Sequence, residues 1–140
     1  MTRAREIMTP DPVCVREGST VREAAQLLAE AGVGAMPICG ADNRLKGMVT
    51  DRDIVVKVLA EGKDPRAVKV SELAQGEVVT IGADDEVTQI MDTMSKYKVR
   101  RLPVIDGDDL VGIISQADVA RALPNPQVGD LVQALSVDDR

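Results

Sequence analysis

Residues 36–53, MPICGADNRLKGMVTDRD, and residues 102–118, LPVIDGDDLVGIISQAD, are two versions of one pattern. Each holds a short apolar run broken by proline, a turn containing Gly and Asp, a second apolar run, and a hydroxyl residue three positions before an aspartate. Outward from these stretches, the second half of the chain lies on the first at a shift of 66: Ile7 on Leu73, Val13 on Val79, Val21 on Val87, Val33 on Val99 and Pro37 on Pro103. Past residues 40–44 the shift becomes 65, with Leu45 on Leu110, Gly47 on Gly112, Thr50 on Ser115 and Asp53 on Asp118. The lost residue falls where a hairpin turn belongs, and turns absorb deletions at little cost. A duplication organises the chain.

Both copies predict the same elements. A lead-in segment (residues 4–8 and 70–74) precedes a β-type stretch (13–15 and 78–81). An amphipathic helix follows; in the first copy Val21, Ala24, Ala25 and Leu28 recur at helical spacing. Thr20 and Glu23 have the spacing of a capping box, Asp84 or Asp85 can cap the second copy, and Gly32 marks the first helix's exit. Two strands then flank the turn (36–39 with 45–50, and 102–105 with 110–115), and a closing helix runs over about 53–61 and 118–123. The order β-α-β-β-α, twice, makes an α+β (α/β) fold. The expected layout is a first motif at 4–61, a linker at 62–69, a second motif at 70–123, and a tail at 124–140 with a short helix after Pro124 and Pro126. A unit of roughly 60 residues buries too little surface to be secure alone, so the two copies are expected to pack on each other.

Composition removes whole classes of function. The 140 residues include no His, no Trp, no Phe and a single Tyr, Tyr97. Without histidine there is no Ser-His-Asp triad, no Cys-His pair and no HExxH zinc site. No nucleophile stands beside a recognisable base, so the chain does not read as an enzyme. With 23 acidic against 17 basic residues and a net charge of -6, nonspecific nucleic-acid binding is disfavoured, because it rests on phosphate neutralisation. The longest uncharged run, residues 31–41, is far short of the ~20 residues a membrane span needs. The charged N-terminus does not read as a signal peptide. A cytoplasmic protein is expected.

The segments GMVTDRDIV and GIISQADVA, each preceded by a strand pair carrying MPIC or RLPVI, resemble tandem cystathionine β-synthase-type (CBS) domains. The resemblance covers about residues 4–123. It implies a two-motif module with pseudo-twofold symmetry and clefts between the motifs, commonly dimerised into a disc of four motifs and commonly binding adenosine-containing ligands. The family's Ser/Thr-x-x-Asp motif falls on Thr50 to Asp53 and on Ser115 to Asp118. Chemically, a hydroxyl and first-turn N–H groups suit a phosphate, and a carboxylate three residues on can accept from both ribose hydroxyls. The same spacing is also a plain helix cap. Capping and ligation can coexist.

Lys98, Arg100 and Arg101 stand just before Leu102. The resemblance implies that basic residues there meet phosphates, and arginine forks suit that geometry; the other reading is a solvated edge. The first copy has Gly34 and Ala35 where the second has Arg100 and Arg101, so one site should bind much better than the other. Adenine needs an apolar slot, for which Met36, Pro37, Ile38, Leu102, Pro103 and Val104 are candidates, with backbone near Cys14 and Thr80; ordinary core packing is the competing assignment. Tyr97 reads as a helix-end residue packing its ring. Cys14 and Cys39 fall on strands expected to be neighbours, leaving two alternatives, reduced buried thiols or a disulfide. The function implied is a regulatory module sensing AMP, ADP, ATP or a related adenosine ligand, with no required cofactor, acting as a homodimer on an effector protein. The alternative is a ligand-free protein-interaction or stress-response module of the same fold.

Overall fold

The computed structural model describes residues 2–74 and 78–123; the helix expected after Pro124 and Pro126 lies outside the described residues. The elements in order are α1 (Ala4–Ile7), β1 (Thr9–Pro10), β2 (Val15–Arg16), α2 (Val21–Ala31), β3 (Ala35–Cys39), β4 (Leu45–Thr50) and α3 (Asp51–Ile54), which continues as π-helical turns over Val55–Leu59. A 3-10 turn at Val70–Leu73 is followed by β5 (Ile81–Gly82), α4 (Val87–Tyr97), β6 (Arg101–Asp106), β7 (Asp109–Ser115) and α5 (Gln116–Ala122). The mixed α/β architecture with two repeats is as the sequence predicts. No helix among the described residues is long and apolar enough to cross a membrane.

The chain forms two compact units, one from residue 13 to 78, the other joining residues up to 12 with those from 79 onward. In the first unit β2 lies parallel to β3, and β3 antiparallel to β4. Val15, Val21, Ala24, Leu28, Met36, Ile38, Val49, Ile54 and Val58 pack into its core. The second unit repeats this with β5 parallel to β6 and β6 antiparallel to β7, and it gains β1 on the far edge of β7. Its core holds Ile81, Val87, Ile90, Met94, Leu102, Val104, Ile114 and Val119. Full burial of an aliphatic side chain contributes about 1.5–3 kcal/mol, which is how an aliphatic inventory can replace aromatic residues here. Both hairpins break register at the same place, between Ile38 and Cys39 and between Val104 and Ile105. The one-residue slip of the repeat therefore lies in the turn beyond each break.

The spatial units do not coincide with the sequence repeats, because the lead-in segments change places. Ala4 of α1 is fully buried in the second unit's core, and Val70 and Leu73 are buried in the first's. The exchange is reciprocal down to single hydrogen bonds. The Val21 N–H that opens α2 donates to Val68 O at 2.9 Å, and the Val87 N–H that opens α4 donates to Thr2 O at 3.1 Å. Likewise Val70 N–H donates to Ser19 O at 2.8 Å and Ala4 N–H to Asp85 O at 2.9 Å. First-turn N–H groups have no partner within their own helix; here the other repeat's lead-in supplies it. The stretch expected to be a linker takes part, since Arg22 N–H donates to Pro65 O at 3.0 Å and Val68 is buried.

Helix ends follow local rules with one difference. Thr20 and Glu23 form the expected capping box on α2, each side chain accepting the other's N–H at 3.1 Å, and Gly32 closes α2 with φ +67°. On α4 the N-cap is Glu86, not Asp84 or Asp85, with Gln89 reaching back to its N–H at 2.9 Å. Asp85 instead accepts from Gly82 N–H at 2.8 Å, and Asp84 is drawn to the lead-in, accepting from Arg5 Nε at 2.9 Å with Arg3 Nη1 at 3.6 Å.

Two expectations follow. Gly47 is buried, and a Cβ there would stand 2.7 Å from Ala74 Cβ and 3.3 Å from its Cα, so Gly47→Ala should cost about 1–3 kcal/mol by overpacking, read from denaturant midpoints. The hydrogen bond from Arg5, and then its charge, hold the Asp84 carboxyl below the ordinary carboxylate range. A folded pKa below the unfolded one contributes stability above about pH 4 and loses it as the solution is acidified further. Arg5→Ala should therefore flatten the decline in melting temperature below about pH 4, measured at low salt.

Candidate functional site

At the end of β7 the chain turns from strand to helix at Ser115, and Ser115 and Asp118 close a capping box. Ser115 N–H donates to Asp118 Oδ2 at 2.8 Å, and Asp118 N–H donates to Ser115 Oγ at 3.2 Å. In the first unit Thr50 N–H donates to Asp53 Oδ2 at 3.2 Å, and Asp53 N–H to Thr50 Oγ1 at 3.0 Å. Both hydroxyl–aspartate pairs are thus helix caps of matching geometry. The box occupies Oδ2 and leaves Oδ1, which a cation one turn along meets: Arg121 Nη2 at Asp118, and Lys57 Nζ at 3.4 Å from Asp53. The Asp118 side chain is only 11% exposed while that of Arg121 is 71% exposed. An exposed guanidinium is held weakly.

The hairpin register places the basic residues. Arg101 pairs with Ser115, and Gln116 N–H donates to Arg100 O at 2.8 Å, so Arg100 and Arg101 flank the Ser115 turn. Lys98 stands at the exit of α4 with φ +56°, the position Gly32 holds in the other repeat. It has a backbone role that the charge pattern did not disclose. In the first unit Ala35 pairs with Thr50 and Asp51 N–H donates to Gly34 O at 3.0 Å, the same frame with opposite charge. A Cβ on Gly34 would meet Asp51 Oδ2 at 3.2 Å, so a carboxylate occupies the space beside the turn.

The strand residues divide by face. Met36 and Ile38 lie in the first core, and Leu102 and Val104 in the second. Strand alternation turns the side chains of these four candidates into the core. The buried Pro37 and Pro103 lie on the opposite faces of their strands. Half-buried Cys14 and exposed Thr80 each stand one residue before the short strand parallel to β3 or β6. Cys14 and Cys39 are joined by a disulfide with Cα atoms 5.7 Å apart. Tyr97 is the last residue of α4, its ring half exposed with Lys96 Nζ 5.2 Å from the centroid.

Asp51, Lys57 and Arg121 were not singled out from the sequence. Lys57 and Arg121 could have been found from their spacing, four and three residues after the aspartates on one helix face. Asp51 could have been found as the neighbour of the missing first-copy arginines. The first unit also has an open hollow of about 550 Å³ between α2 and α3, lined by Ala25, Leu28, Ala29, Val33, Asp51 and Val55 among others.

Comparison with known proteins agrees with this geometry. The CBS domain matches residues 4–60 and 70–125. Hypoxic response protein 1 of Mycobacterium tuberculosis is 44% identical over 135 residues, covering 96% of this chain and 94% of the relative. The crystal structure of Hypoxic Response Protein I with two coordinated zinc ions is 46% identical, with a TM-score of 0.82 over 88% of this chain and 100% of that one. Among the described residues of this chain no group of three or more His, Cys, Asp or Glu could hold a metal ion. The CBS domain pair of protein MJ0100, in complex with 5'-methylthioadenosine and S-adenosyl-L-methionine, is 28% identical with a TM-score of 0.77, covering 87% of this chain and 95% of that one. Matched along both repeats in sequence and in fold, the chain belongs to the CBS domain family.

Proposed function

We propose that this CBS pair is a non-catalytic regulatory module that binds a phosphate-bearing adenosine nucleotide of the AMP, ADP or ATP class at the second unit's strand-to-helix turn. One observation carries the reading: the register sets Arg101 opposite Ser115 and ties Arg100 to Gln116, so positive charge lies beside a cap whose aspartate keeps Oδ1 available by exchange. In this reading Arg100 and Arg101 hold phosphate, the Asp118 Oδ1 accepts ribose hydroxyls as Arg121 swings away, and backbone near Thr80 and Pro103 meets the base. A relative that holds methylthioadenosine and S-adenosylmethionine supports the adenosine part. Asp51 makes the first unit the weaker site. The chain acts as a homodimer through the apolar surface of Val55, Val56 and Leu59, all substantially exposed, and signals to an effector protein.

A second reading, a ligand-free interaction module, is favoured by one fact: both aspartates already have partners in their own helices. Thermal melts separate the two. A nucleotide at a hundred times its Kd adds about 2.7 kcal/mol, a rise on the order of 5–10 °C for this size. Arg100→Ala should remove most of that rise and leave the ligand-free melt in place, since Arg100 is exposed and its backbone does the pairing. Asp51→Asn in the first unit should leave the main rise intact. No rise with millimolar AMP, ADP or ATP would leave only the interaction reading. For the dimer, Val55→Glu should convert the sedimenting species to monomer with its melt preserved; a wild-type monomer at high concentration would remove homodimerisation from the account.

A further inference from the structure

We infer that the Cys14–Cys39 bridge is a reversible thiol–disulfide exchange site, opened by a dithiol reductant at Cys14, that sets how firmly the lead-in to β2 is held. Three observations converge on it. The two cysteines differ in access, for Cys14 is half-buried beside the exposed Val13 while Cys39 is 1% exposed. Attack is therefore directed to the Cys14 sulfur. The bridge also closes at a weak place. β2 is a two-residue edge strand paired with β3 only through Val15 with Ile38 and Arg16 with Cys39, and the chain crosses from one compact unit to the other just before it, after residue 12. Finally, the repeat supplies an internal control. Thr80 and Ile105 stand where the cysteines would be, yet β5 still lies parallel to β6 through two residue pairs. The fold is complete without a bridge at this position, so the bridge is an addition to it.

The exchange balances as a two-electron step. A thiolate of the dithiol attacks the Cys14 sulfur, the bridge breaks, and Cys39 leaves as a thiolate that takes a proton from solvent. The reductant's second thiol then attacks the mixed disulfide, freeing the Cys14 thiol and leaving the reductant as its own disulfide. After opening, the Arg16 guanidinium still donates to Gly40 O at 3.1 Å and Asn43 Oδ1 at 2.8 Å, and Glu17 N–H to Cys39 O at 3.1 Å. The change is thus confined to residues 13–15. The inference stands whether or not a nucleotide binds.

The test uses the wild-type chain equilibrated with glutathione disulfide, then treated in native buffer with dithiothreitol or left untreated. Thiols are trapped with N-ethylmaleimide in denaturant and counted by mass, and amide exchange is followed in parallel. The expected result is no trapped thiol before treatment and two after. Exchange at Val15 should then be faster by about tenfold or more, with Ile81 of β5 unchanged. Thiols trapped in the oxidised sample, a bridge reducible only in denaturant, exchange that rises across the whole first unit, or exchange that does not change would each overturn it.

Discussion

The rest of the structure depends on the demand of a buried helix start for hydrogen-bond acceptors. The first-turn N–H groups of α2 and α4 cannot find partners inside their own helices, and the first of them in each helix is met by a carbonyl from the other repeat's entry segment, Val68 for Val21 and Thr2 for Val87. Ala4 and Val70, fully buried, bring apolar contact to the same places. Neither repeat is complete as a continuous stretch of chain. A segment cut at the repeat boundary would lose both the acceptor for its long helix and part of its core. This explains why a unit of marginal size persists as a duplicated chain: the duplication supplies the missing piece in both directions.

Within that shared frame, the two strand-to-helix turns have kept their geometry and diverged in charge. The capping boxes of Thr50 with Asp53 and Ser115 with Asp118 agree atom for atom, and so do the backbone bonds from Asp51 to Gly34 and from Gln116 to Arg100. What differs is what stands around them. Arg100 and Arg101 stand beside one turn where Gly34 and Ala35 stand beside the other, and Asp51 takes the place of Gln116. A cap is required for the fold and is therefore retained in both copies, whereas the charge around it is free to change.

What the sequence disclosed and what it did not divide along the range of the interactions. The repeat register, the slip in the hairpin turn, the Thr20 box and the Gly32 exit all rest on residues within a few positions of one another. The exchange of lead-ins could not be seen, because it pairs Ala4 with Asp85 and Val70 with Ser19, and no local spacing records which copy a segment joins. Asp84 and Asp85 were plausible caps by residue type, but the lead-in's arginines claimed Asp84 and the Gly82 N–H claimed Asp85, so Glu86 took the role. The facing of the strand candidates was hidden for a different reason. A short apolar strand shows its alternation only once one face is known to be core, and Met36 and Ile38 turned out to lie on it.

Capping and ligand binding are often treated as competing explanations for a hydroxyl and an aspartate three residues apart, but the atoms argue otherwise. A capping box needs one carboxylate oxygen, and both aspartates use Oδ2 for it. The other oxygen points to a side chain of the same helix whose own exposure is high, so its present partner is held by a contact that solvent screens. Fixing the carboxylate by its cap also fixes the direction of Oδ1, and a preorganised acceptor loses less entropy on binding than a mobile one. A cap of this kind therefore does not exclude a ligand. The feature that differs between the two turns is then not the aspartate, which both possess, but the residues at the entry to the neighbouring strand, Arg100 and Arg101 in one and Gly34 and Ala35 in the other.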